Sequence, residues 1–289
     1  MQTNMQKRAK ELLLEGKVQQ VLAWKTSEYE WLPEPAFFTT VEDLNNLTYS
    51  KFCTANLSRY MRDVKEIKTL VFLRPCDSYS FNQLLTENQV KRENAYIIGI
   101  PCEGSVKVEE GEDTGLLESC TQCAKMTPIV YDEQFTDEVT RIQPDKNARF
   151  EIVEHFEEMS ADERYAFWNV EFAKCIRCNA CRNICPTCNC KKCVFDEEKY
   201  DTRQKANISQ AEEQMFHVTR AFHVAGRCTD CGQCSRACPQ QIPLHILNRK
   251  FIKDINGMYG EFQAGEDIST PSPLTSFNTD NDPEPRSSH

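Results

Sequence analysis

Glycine is scarce, with ten in 289 residues. No GxGxxG and no Walker sequence occurs, so the chain offers no ready backbone cradle for a dinucleotide or a nucleoside triphosphate. HExxH is absent too, and no nucleophile–base constellation stands out. No stretch approaches the roughly 18 consecutive apolar residues of a spanning helix. The opening, MQTNMQKRAKELLLEG, holds only three adjacent leucines. It lacks the apolar core and cleavage site of a secretory leader, so a cytoplasmic location is expected. Acidic residues exceed basic ones, 44 against 34, for a net charge of −10. That balance disfavours nucleic acid as the main partner. With 40% hydrophobic residues, the chain can bury a core, and its length suits two modest domains better than one.

What is abundant is cysteine: sixteen residues, eleven of them between 175 and 238. In a reducing compartment these are expected to be metal ligands or redox groups rather than disulfides. Their distribution divides the chain. An α/β domain is expected over 1–150, a mainly α-helical ferredoxin domain over 151–263, and a flexible tail, rich in Pro, Ser, Thr, Asn and Asp, over 264–289.

In the first part, residues 3–15 read as a helix ended by Gly16, and 18–24 as a strand. Apolar residues in 51–64 fall at helical spacing. The runs TLVFL (69–73) and YIIGI (96–100) flank a helix near 78–87, the pattern of a βαβ unit with parallel strands. Cys76 and Cys102 follow those runs directly. The carboxyl ends of parallel strands are where such folds place their sites. Cys120 and Cys123 form a CxxC pair. Together the four can hold a 4Fe–4S cluster. The alternatives are that Cys76 and Cys102 are small buried hydrophobes and that the CxxC pair holds zinc or acts as a redox couple.

The densest signal is repeated. Residues 175–186 read CIRCNACRNICP and residues 228–239 read CTDCGQCSRACP, both CxxCxxCxxxCP. This is the bacterial ferredoxin pattern, in which three thiolates wrap one cube and the fourth ligates the other. The expected sets are Cys175, Cys178, Cys181 and Cys238 for one cluster, and Cys228, Cys231, Cys234 and Cys185 for the other. Zinc ribbons use cysteine pairs separated by a longer loop, so this spacing disfavours zinc. Helices are expected on either side of the motifs: 160–174, with Ser160 and Glu163 as a capping box; 209–225, with Ser209 and Glu212 as another; and one beginning near Pro243. Four cysteines remain, Cys53, Cys188, Cys190 and Cys193, enough by count for a fourth cluster, with a cluster that has one non-cysteine ligand, a zinc, or free thiols as alternatives. Lys174, Arg177, Arg182, Lys191 and Lys192 are the charged residues between 174 and 193. Cations there would favour the reduced state of an anionic cube or form a docking face for an acidic partner. His217 and His223 are read as packing histidines or as donors to a cluster.

Carried by RPCDS, IGIPCEG, CTQC, Pro128 and Asp132, the first part resembles the beta-subunit family of deazaflavin-dependent hydrogenases and dehydrogenases, including formate dehydrogenase subunits. The runs KCIRCNACRNICP and FHVTRAFHVAGRC resemble the dicluster ferredoxin subunits found beside heterodisulfide-reductase-like complexes. The resemblance implies a 4Fe–4S cluster on Cys76, Cys102, Cys120 and Cys123. It also implies partner redox subunits: a flavin-containing heterodisulfide-reductase-like, hydrogenase or formate dehydrogenase subunit. Members that reduce deazaflavin bind FAD through a glycine-rich segment near the N-terminus, whereas Met1–Trp24 has a single glycine. The expectation is therefore an iron–sulfur electron-transfer subunit with two to four 4Fe–4S clusters, rather than a catalytic one. The alternative is an FAD-containing catalytic subunit that exchanges hydride with a deazaflavin or nicotinamide.

Overall fold

The computed structural model of the chain describes residues 1–137, 139–196 and 210–275. Two compact units form: Met1–Ala148 with Gly265–Ile268, and Arg149–Ala264 with the described residues from Ser269 onward. No helix among the described residues is long and apolar enough to cross a membrane. Of the tail, Gly265–Ile268 thus pack with the first unit, and residues 276–289 lie outside the described residues.

The first unit is α/β. Its elements in chain order are α1 (Gln2–Leu14), β1 (Gln20–Lys25), β2 (Glu34–Phe38), β3 (Leu47–Thr48), β4 (Thr69–Leu73), α2 (Pro75–Thr86), β5 (Ala95–Gly99), β6 (Val106–Glu109), β7 (Glu112–Leu116), α3 (Glu118–Thr121) and β8 (Glu133–Gln134). One sheet runs β2-β1-β4-β5-β8, with β3 also on β1; β6 and β7 make a separate hairpin. β1, β4, β5 and β8 are parallel, as the βαβ pattern predicts, while β2 and β3 pair antiparallel with β1. TLVFL is buried at every position, as expected of a central parallel strand covered on both faces. The helical spacing in 51–64 resolves into a 3₁₀ helix, Leu57–Val64, capped by the Asn56 side chain, which accepts from Ser58 N at 3.0 Å.

The second unit is helical: α4 (Glu151–Glu158), α5 (Ala161–Ala173), α6 (Ala180–Asn183), α7 (Gln210–His223), α8 (Gln233–Arg236) and α9 (Leu244–Tyr259). The expected capping box opens α5: Ser160 N donates to Glu163 Oε2 at 2.8 Å, and Glu163 N donates to Ser160 Oγ at 3.3 Å. The box expected at Ser209 lies outside the described residues. Trp168, Phe172 and His217 stack in sequence, at ring separations of 5.1 and 4.8 Å. α5 packs on α7, α7 on α9, and α6 on α8.

Candidate metal centres

In the helical unit the two cysteine motifs adopt the same backbone. Arg177 and Asn179 in the first, and Asp230 and Gly232 in the second, all have φ between +53° and +68°. Alternating left-handed residues curl the chain around a concave space and turn its N–H groups inward. Arg177 N donates to Cys175 Sγ at 3.3 Å within that curl. Asn179 and Gly232 then serve as N-caps of α6 and α8, which carry the third cysteine of each motif. Gly232 takes the left-handed conformation without penalty; Asn179 is among the side chains that tolerate it best.

The sulfurs of the two motifs converge. Cys181 lies within electrostatic reach of Cys234, Cys175 and Cys238, and Cys228 and Cys234 lie within reach of Cys185. Cys185, Cys228, Cys231 and Cys234 line one enclosed cavity, together with His245 and Asn248. Burial pushes the Cys181 thiol up to about 12 and raises the Cys228 and Cys234 thiols as well. Such thiols stay protonated until a metal displaces the proton. A metal centre that takes four thiolates fits this donor set.

The helices packed on these loops present polar side chains inward. On α7, Glu213, His217 and Arg220 are buried; on α9, His245, Asn248 and Arg249 are. Arg177 and Glu213 pair at 3.1 Å, and Arg249 and Asp230 at 2.9 Å. The ion pairs are counterparts: each joins the first left-handed residue of a motif to the helix beside it, with the signs reversed. Asn248 Nδ2 donates to Cys234 Sγ at 3.5 Å. His217, Glu213 and Cys175 bring their ligand-type atoms within 4.8 Å of one another. Neither ring nitrogen of His217 has a hydrogen-bond partner among the described residues. Burial, followed by Arg220 and Arg177, pushes its pKa down to about 3, so the ring is neutral. His223 is exposed.

The basic run around the first motif is largely neutralised. Lys174 pairs with Glu171, Arg177 with Glu213, and Arg182 with Asp196. Each of these three cations has a carboxylate partner. Arg220, outside that run, is buried and has no carboxylate partner among the described residues.

In the α/β unit, Cys76 stands in the first turn of α2 and Cys102 follows β5. Cys76 lies within electrostatic reach of Cys102 and Cys123, and Cys102 within reach of Cys120 and Cys123. Arg74 organises this group. It is 3% exposed and donates Nε to Asp77 at 3.0 Å, Nη1 to Ser105 Oγ at 3.2 Å and to the Cys53 carbonyl, and Nη2 to the carbonyls of Thr54 at 3.2 Å and Ala55 at 2.7 Å. Ser78 Oγ donates to the Pro75 carbonyl at 2.7 Å and accepts from Ile129 N at 3.1 Å. RPCDS is thus a bracket around Cys76. Arg141 clamps the CxxC loop by donating to the Cys120, Thr121 and Cys123 carbonyls. Pro128 packs over Gly99, and Asp132 accepts from Ile97 N at 2.7 Å, so both align the strand that delivers Cys102.

The last four cysteines fall in both units. Cys53 is buried in the first unit, where its sulfur accepts from Ser50 N at 3.3 Å. In the second unit, Cys188 lies against Cys185 and lowers that thiol through a hydrogen bond. Cys193 is hydrogen-bonded to Arg182, and Cys190 is exposed.

Comparison with known proteins follows the same division. Residues 171–242 match the 4Fe-4S dicluster domain family. The helical unit contains a ferredoxin-type domain. Over most of its length the chain is homologous to two archaeal proteins. The F420-dependent formate dehydrogenase subunit beta of Methanocaldococcus jannaschii is 23% identical, the match covering 84% of this chain and 87% of that one. The F420-dependent formate dehydrogenase 1 subunit beta of Methanococcus maripaludis is also 23% identical, over 92% of this chain and 91% of that one. A chain of the F420-reducing [NiFe] hydrogenase complex from Methanosarcina barkeri aligns with 36% of this chain and 42% of its own, at 13% identity and a TM-score of 0.29.

Proposed function

We propose that this chain is the iron–sulfur subunit of a multi-subunit oxidoreductase and that it passes electrons one at a time between partner redox subunits. The observation that carries this reading is the convergence of the cysteines of the two motifs, with Cys185 beside Cys228 and Cys234, and Cys181 beside Cys234, Cys175 and Cys238. Cys175, Cys178, Cys181 and Cys238 would hold one 4Fe–4S cluster, and Cys228, Cys231, Cys234 and Cys185 the other. Cys76, Cys102, Cys120 and Cys123 would hold a third. When bound, each supplies one-electron exchange. The protein's own contribution is to bury the sulfurs, exclude water, and aim N–H donors and charges at them. Cys53 stays a buried thiol in this reading, since its own turn already satisfies its sulfur.

The names of the two relatives support a partner subunit of the formate dehydrogenase kind. They also favour a second reading, in which FAD sits in the α/β unit and exchanges hydride with a deazaflavin. The scarcity of glycine near β1 supports the first. A reductive titration of the anaerobically purified chain separates them. The electron-transfer reading expects uptake of three electrons per chain, in single-electron steps, with no flavin absorbance on release of cofactors. A stoichiometric flavin, or a two-electron step, would overturn it in favour of the catalytic subunit.

A further inference from the structure

The buried guanidiniums of this protein come with carboxylates, except one. Arg74 has Asp77, Arg177 has Glu213, and Arg249 has Asp230. Arg220 is 2% exposed, and no carboxylate among the described residues pairs with it. Its Nη2 donates to Asn248 Oδ1 at 3.3 Å, while Nε and Nη1 have no acceptor among the described residues. The groups around it that a metal would turn into thiolates are sulfurs: Cys181 from the first motif, Cys185 and Cys234 from the set around the second, and Cys188. Asn248 fixes the arrangement, because it accepts from Arg220 through its oxygen and donates to Cys234 through its nitrogen. A buried cation with no counter-charge is strongly unfavourable unless an anion completes the site. A cube held by four thiolates is that anion, and reduction adds a further negative charge to it.

We propose that Arg220 is the shared counter-cation of the two clusters of the ferredoxin-type domain, held in place by Asn248, and that it raises the reduction potential of both. The inference rests on the ligand sets proposed above. Its role is one of positioning and charge: the guanidinium stabilises the more negative state of each cube across a low-dielectric interior, and its two spare N–H groups are donors for cluster sulfurs. A residue that served one cluster alone would move one potential, whereas a shared cation moves two.

The test is a redox titration of the full chain, followed by electron paramagnetic resonance, for wild type, Arg220→Gln, Arg220→Lys and Asn248→Leu. In Arg220→Gln, both clusters are expected to titrate at lower potential, by at least a tenfold change in each one-electron equilibrium, about 59 mV. Arg220→Lys keeps the charge and is expected to stay closer to wild type. Asn248→Leu frees the guanidinium and is expected to lower both potentials by less than Arg220→Gln does. Should Arg220→Gln fail to retain clusters, the other two variants still decide. A lysine variant that falls as far as Asn248→Leu or further, or an Asn248→Leu that moves neither potential, overturns the proposal. So does an Arg220→Gln protein that keeps its clusters with one or both potentials unmoved. A wild-type domain that takes up fewer than eight irons would instead refute the ligand assignment itself.

Discussion

Arg74 and Arg220 show what a buried guanidinium does when its neighbours differ. Arg74 is matched by Asp77 and by loop carbonyls, so its work is structural: it gathers the Cys53–Ala55 loop, Ser105 and the start of α2 around Cys76. Arg74→Met leaves the Asp77 carboxylate buried and unpaired. It is expected to cost about 3–5 kcal/mol, read as a lowered denaturant midpoint of the α/β unit. Arg74→Lys should recover only part of that loss, because an ammonium cannot span the same fork of acceptors. The crossed ligands make a second prediction. Cys238→Ser should remove the cluster of the first motif, and Cys185→Ser that of the second, each with about four irons lost and the other cluster's spectrum retained. If Cys238→Ser instead abolished the second motif's cluster alone, the crossing would be wrong. The cysteines were legible in the sequence because their spacing is the chemistry. Arg74, Arg220 and Asn248 were not, although RPCDS and FHVTRAFH were both singled out, because a lone Arg or Asn carries no mark of burial. Such a mark exists at the level of the helix: Glu213, His217 and Arg220 on α7 recur at core spacing, as do His245, Asn248 and Ile252 on α9.

That recurrence belongs to the element scale. A helix whose buried stripe carries charge is packed on something other than an apolar core. Here α7 and α9 face the two cysteine loops, and the loops are built alike. The left-handed residue before each short helix is a Gly in one motif and an Asn in the other. Asn179→Gly is therefore expected to leave iron content and melting temperature unchanged or slightly raised. Asn179→Val, with its branched side chain in the same conformation, should cost about 1–2 kcal/mol and lower iron occupancy. Equal iron uptake and stability for the valine variant would show that the curl does not shape the site. The central elements were read within a residue or two: α1, β4, β5 and α5 have strong periodicity or intact caps. The missed strands are short or irregular. β2 begins Glu34-Pro35 and is an edge strand, where proline is tolerated. β8 has two residues and depends on long-range ties, with Arg8 Nε donating to Glu133 Oε2 at 2.8 Å and Tyr96 Oη donating to Glu133 Oε1 at 2.5 Å. No local pattern can announce a strand fixed by a partner more than a hundred residues away.

At the scale of the whole molecule, an α/β unit and a helical unit each gather four or more sulfurs around buried, organised polar groups. The division was visible in the sequence as a change from apolar runs to cysteine runs. The return of Gly265–Ile268 to the first unit was not, since a polar stretch rich in proline carries no periodicity to place it. Twelve of the sixteen cysteines are proposed as cluster ligands, and Cys53, Cys188, Cys190 and Cys193 stay outside them. The most direct test is iron and acid-labile sulfide per chain on anaerobically purified protein. Three cubes predict about twelve of each. About eight would remove the cluster from Cys76, Cys102, Cys120 and Cys123 and contradict the reading of the α/β unit. About sixteen would mean that the other four also hold a cube.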